Sequence, residues 1–158
     1  MSTTATASLD QVKLLAPDLR NGKQFPRSPR ATLAGYVLAA RAVDKCRAVL
    51  AGQQGEYHYN CPLDQRWLSF TGIDPVALQD FVATGATDDE VAAWITDHAK
   101  ARSRADIIVW NNQLRDVRLS DLPVESQEYM EDYIAQYVPR NRVVYHFFDI
   151  FDYEEQRL

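Results

Sequence analysis

The run from Gly52 to Gly72 gathers the reactive side chains of this chain. Within it Glu56, His58, Cys61, Asp64 and Arg66 alternate with Tyr57, Tyr59 and Trp67. Three chemistries draw on such a set. Glu56, His58, Cys61 and Asp64 include three kinds of metal ligand within nine positions, and zinc or iron sites use such mixtures. Yet H-x-x-C alone is a weak signal, and the chain has no C-x-x-C, H-E-x-x-H or E-x-x-H to complete it, so no metal is assigned and any cofactor is left unknown. A nucleophilic Cys61 would gain from His58 and from the positive end of a helix starting near Pro62. Against it stands the common case of a buried, inert cysteine. The third reading is a binding pocket. Tyr57, His58, Tyr59, Trp67 and Arg66 would line a partly apolar cleft, with Arg66 clamping a carboxylate or phosphate, and Glu56, Cys61 and Asp64 stand with them as ligand-binding candidates. The plain alternative is a structural loop in which Glu56, Asp64 and Arg66 pin the flanking helices.

The elements that must position this run are helical. Thr32 reads as the N-cap of a helix from Leu33 to Leu50. Leu33, Tyr36, Val37, Ala40, Val43 and Leu50 form its apolar stripe, with Arg41, Asp44, Lys45 and Arg47 mostly off it. Tyr57 and Tyr59 alternate with Glu56, His58 and Asn60, which suits a short extended segment with two faces. Pro62 opens a helix to Phe70, and Asp74-Pro75 caps another reaching about Thr84. Thr87 with Glu90 makes a capping box for a helix whose stripe is Val91, Trp94, Ile95, His98 and Ala99. Ser103 caps the next. Glu125 to Tyr137 places Tyr129, Met130, Tyr133, Ile134 and Tyr137 on one face, expected in the core, or a dimer surface if its edge is exposed. A last helix begins near Asn141. The pattern predicts an all-α domain of six or seven short helices with one extended central loop. Residues 1–24 are expected to be a tail or arm, disordered over 1–8 and with a short amphipathic turn from Leu9. Residues 25–158 form a single helical domain in this reading. The segment NGKQFPRSPRAT at 21–32 is an extended arm, with Phe25 as its anchor and Lys23, Arg27 and Arg30 as its charges.

The chain has 158 residues, a formal net charge of −5 and two cysteines. That length suits one domain, and Cys46 and Cys61 make no disulfide framework, as in a reduced, cytoplasmic protein. No apolar run reaches the ~18 residues of a membrane span, and the first fifteen residues, without a positive start and an apolar core, are not expected to act as a secretory signal. Residues 1–50 carry a net +5 and residues 120–158 a net −6. An acidic protein repels phosphate backbones, which disfavours nucleic acid. The asymmetry suggests that the basic third lies against the acidic one, in the same molecule or in a homodimer.

PRSPR at 26–30, LAGY at 33–36, D-K-x-R-A at 44–48, LAG at 50–52 and GEYHYNCPLDQR at 55–66 together resemble the bacterial family known as domain of unknown function 5069. GID at 72–74 and D-E-x-x-x-W at 89–94 resemble it too. The resemblance covers most of the chain from about Phe25. It implies one small soluble bacterial domain and directs attention to residues 55–66, but it supplies no activity. The leading functional expectation is a small-ligand-binding or accessory protein organised around 55–66. The competing ones are an enzyme using His58 and Cys61, and a structural protein forming a homodimer.

Overall fold

The computed structural model describes residues 3–158; Met1 and Ser2, part of the expected tail, lie outside the described residues. The described residues form eight α-helices and one two-stranded sheet, the expected all-α class. They fall into two compact units, one ending at Ser103 and the other running from Arg104 to Leu158. No described helix is long and apolar enough to cross a membrane.

In the first unit α1 spans Thr3–Leu15, longer than the short turn from Leu9 that the apolar spacing predicts. A 3-10 turn at Arg20–Gly22 follows. Strands β1, Thr32–Leu33, and β2, Tyr36–Val37, then pair antiparallel, with Leu33 opposite Tyr36. The expected helix start at Thr32 is therefore corrected. Ala34 and Gly35 both take positive φ, at 53° and 86°, which makes a tight hairpin turn. Helix α2, Ala39–Leu50, begins only after Leu38, itself left-handed at φ 70°.

Helix α2 is the centre of this unit. Every residue from Ala39 to Ala48 is buried, so the expected amphipathic stripe is a helix buried all round. Its alanines at 39, 40, 42 and 48 let neighbouring elements approach closely. Its charges are buried with partners, as burial of ionised groups demands. Asp44 pairs with Arg27 at 3.0 Å, Lys45 with Asp64 at 2.8 Å and Arg47 with Asp88 at 2.8 Å. Arg41 donates to the carbonyl of Arg27 at 3.2 Å. Arg27 also reaches Asp88 at 2.8 Å, and Arg20 and Lys23 pair with Asp18. Arg20, Lys23, Arg27, Lys45 and Arg47 of the basic N-terminal third thus meet aspartates within their own unit.

Around α2 stand α3 (Pro62–Thr71), α4 (Pro75–Val82) and α5 (Asp88–His98). Their starts follow the local signals. Asp74 accepts from the Val76 amide, and Thr87 and Glu90 form the expected capping box. Trp67, Leu78, Val82, Val91 and Ile95 are buried. His98, expected in the core, is exposed and stacks on Trp94 with ring centroids 4.0 Å apart.

The second unit contains α6 (Arg104–Arg115), a 3-10 turn (Leu119–Asp121), α7 (Val124–Tyr137) and α8 (Phe147–Glu154). Helix α8 starts six residues after the expected Asn141. Val143, Val144 and Tyr145 favour extended backbone, and the neighbouring chain captures it. Leu119 N donates to Tyr145 O at 2.9 Å and Phe147 N to Val117 O at 2.8 Å. Leu114, Leu122, Val138, Phe148 and Ile150 form the buried apolar set of this unit. Helix α7 contributes no buried residue, so its tyrosine stripe is corrected from core to surface: Tyr129 is 62% exposed and Tyr137 42%.

Candidate functional site

Between α2 and α3 the chain makes successive turns rather than the extended piece the alternation predicts. Gly55 fixes the first. Its φ is +57°, and a Cβ there would stand 2.6 Å from the Leu19 carbonyl oxygen, so only glycine fits. Leu19 N donates to Gln53 O at 3.0 Å, and the Gln53 amide caps the carbonyl of Pro17 at 3.1 Å. The two-faced exposure survives without a strand. Tyr57 and Tyr59 are half-buried, whereas Glu56, His58 and Asn60 are exposed.

Tyr57, Tyr59 and Asn60 are each tied to the buried helix or its neighbours. The Arg41 guanidinium lies 5.7 Å from the centre of the Tyr57 ring, a cation–π contact. The Tyr59 hydroxyl donates to the Pro75 carbonyl at 2.7 Å. Burial, aided by the nearby Cys46, Asp64 and Asp74, pushes that phenol far above its ordinary range. Asn60 sits at φ 61°; its amide donates to Asp64 Oδ2 at 3.0 Å, and Gln65 donates to its side-chain oxygen. Asp64 is fully buried, and its Oδ1 faces the Lys45 ammonium. Lys45 also donates to Cys61 Sγ at 3.2 Å. A chain of contacts therefore runs from α2 through Lys45 and Asp64 to the turn at Asn60. Such support from behind holds an exposed loop in one geometry.

In front of this scaffold lies an open cleft of about 390 Å³. Tyr57, His58, Tyr59 and Asn60 form one wall, Pro75, Val76 and Gln79 of α4 another, with Val49 and Gln54 beside them. Of the residues singled out by sequence, Tyr57, His58 and Tyr59 line it together. Cys61 is half-buried at the start of α3, next to Lys45. Asp64 is beneath the turn. Trp67 is fully buried in the core, and its indole N–H has no partner among the described residues. Glu56 and Arg66 are exposed and stand outside the lining. Among the described residues no three His, Cys, Asp or Glu side chains gather as a metal-holding group.

The two thiols differ. Burial, opposed by Arg47 and reinforced by Asp64, pushes Cys46 up to about 12. Cys61 is partly open to solvent.

Sequence reasoning missed the α4 wall and the charged residues on α2. The partners of α2 lie far along the chain, 17 residues away for Arg27–Asp44 and 41 for Arg47–Asp88. The available signal was the mixed-sign set Arg41, Asp44, Lys45 and Arg47 set among alanines, without a clean polar face.

A family model matches residues 23–157, which takes in the arm, the cleft and both units' helices from α2 onward. The chain belongs to the family described as Domain of unknown function (DUF5069). The DUF5069 match begins after α1, so the cleft and the Lys45–Asp64 pair behind it lie within the family's span, whereas Pro17 and Leu19, which hold the turn at Gln53–Gly55, precede it. The comparison with curated proteins found no match.

Proposed function

We propose that this DUF5069 chain is a cytoplasmic small-ligand-binding protein, and that its site is the cleft between the 57–60 turn and α4. The observation that carries the reading is the character of the lining. Gln54, His58 and Gln79 bring side chains with no hydrogen-bond partner among the described residues, beside the apolar surfaces of Val49, Pro75, Val76 and the tyrosines. Ligand sites combine apolar walls with a few placed polar groups in this way, and about 390 Å³ falls in their usual size range. The lining holds no Lys, Arg, Asp or Glu. The ligand class is therefore an uncharged, flat molecule with amide or hydroxyl groups. Glutamine and asparagine side chains would both donate to and accept from it. Tyr59 acts as a wall, since its hydroxyl is held by Pro75. Binding is favoured over catalysis because the group that faces Cys61 is Lys45, already paired with Asp64.

The test uses benzamide and benzoate, one ring with and without charge. Saturation-transfer NMR on the full chain should detect benzamide and give a weaker or absent signal for benzoate. Val76→Arg, at an exposed position on the cleft rim, should remove the benzamide signal without changing the circular dichroism. Equal response to both probes, or a response unchanged in Val76→Arg, contradicts the assignment.

A further inference from the structure

We infer that the exposed face of α7 is a docking surface for a basic, amphipathic helical segment of another protein. Tyr129, Tyr133 and Tyr137 recur every four residues and form a ladder of rings, with centroids 5.9 Å and 4.5 Å apart. The ladder is about 12 Å long by helical rise. Its middle ring is fixed, because the Tyr133 hydroxyl donates to Glu154 of α8. The outer rings are open, Tyr129 at 62% and Tyr137 at 42% exposure. Tyrosines held rigid and half open bind partners with little loss of side-chain freedom, which is why they are enriched at interfaces.

The charge beside the ladder selects the occupant. Glu125, Glu128 and Asp132 stand four before, one before and three after Tyr129, and all are exposed. Residues 104–158 hold six Lys/Arg against eleven Asp/Glu, the whole net charge of the chain. A second copy docked on the same face would bring these carboxylates against themselves. Nucleic acid and anionic lipid are repelled likewise. A helix with lysines or arginines beside leucines meets the carboxylates with its charges and the rings with its apolar stripe; its cations also suit tyrosine faces.

The probe is a fluorescently labelled amphipathic peptide of leucine and lysine, titrated with the full chain and followed by anisotropy. Binding is expected, weakening as salt rises from about 50 to 300 mM. Tyr129→Ala with Tyr137→Ala, which leaves the charge untouched, should weaken it by ~10-fold or more while the circular dichroism stays the same. A leucine–glutamate peptide should not bind. Absence of binding by the lysine peptide overturns the inference. So does a tyrosine double variant that binds as the parent does, since the attraction would then be charge alone. Sedimentation of the chain alone supplies a further check. A dimer abolished by the same double variant would make a second copy the occupant and overturn the inference.

Discussion

The unit ending at Ser103 and the unit from Arg104 onward handle charge and apolar surface in opposite ways. The first has eleven basic and eleven acidic residues and buries several of both signs around α2. Of the large apolar side chains that are strongly exposed, it carries Leu9, Leu14 and Val76, whereas the second carries eight. The second has an excess of acid and only five buried apolar residues. Fifty-five residues enclose a smaller fraction of their surface than a hundred do. Where an alanine-rich helix lets neighbours wrap it on every side, charges go inside with their partners. Where no such centre exists, tyrosines and valines stay at the surface. One unit is thereby suited to hold a loop rigid, the other to present a face.

The sharpest way to break this contrast is at Lys45. Lys45→Met leaves the fully buried Asp64 unpaired, and breaking such a pair costs about 3–5 kcal/mol. Adding Asp64→Leu should recover much of the loss. Urea denaturation of the two variants measures both. A loss under 1 kcal/mol for the single variant would mean the pair behaves as a surface bridge. Next comes Gly55→Ala, which forces a Cβ against the Leu19 carbonyl at positive φ and should cost about 1–3 kcal/mol, with a weaker benzamide signal.

A smaller effect is expected from pH. Partial burial works to raise the Asp88 carboxyl, but hydrogen bonds and charge from Arg27 and Arg47 outweigh it and hold the group below its usual 3.8. A carboxylate lowered on folding stabilises the fold above its unfolded value and loses that contribution as pH falls through the folded one. Stability should therefore decline below about pH 4, and Asp88→Asn should flatten that acid limb. An acid limb of the same slope in the variant would place the sensitivity elsewhere. In the second unit, Glu128→Lys should change stability by no more than about 0.5 kcal/mol, as for an exposed site. The cysteines give a complementary readout. At pH 8 a thiol reagent should label Cys61 in the native protein and reach Cys46 only on unfolding, because Cys46 is fully buried and pushed up to about 12.

The features legible in the sequence were the local ones. Asp74-Pro75 and Thr87 with Glu90 set helix starts through contacts within three residues, and both appear where expected. The alternation at Glu56–Asn60 correctly separated inner from outer side chains, although the backbone there is turns. The hairpin at 32–37 escaped because Ala34, not asparagine or glycine, takes the first left-handed position. The burial of Arg41, Asp44, Lys45 and Arg47 escaped because it depends on Arg27, Asp64 and Asp88, brought in from other elements. For the site, the near wall at Tyr57–Tyr59 could be read, but Pro75, Val76 and Gln79 join it only through the packing of α4 on α2. Periodicity likewise gave the face of α7 and could not say that its own unit covers it only in part, leaving Met130, Tyr133 and Ile134 half-buried and Tyr129 and Tyr137 exposed.

The most direct test of the central claim is amide chemical-shift mapping of the full chain during a benzamide titration. The account predicts saturable shifts at residues 54–60 and 75–79, with Lys45 and Asp64 behind them little moved. Shifts centred elsewhere, or none at millimolar benzamide, would contradict the assignment of the cleft as a ligand site.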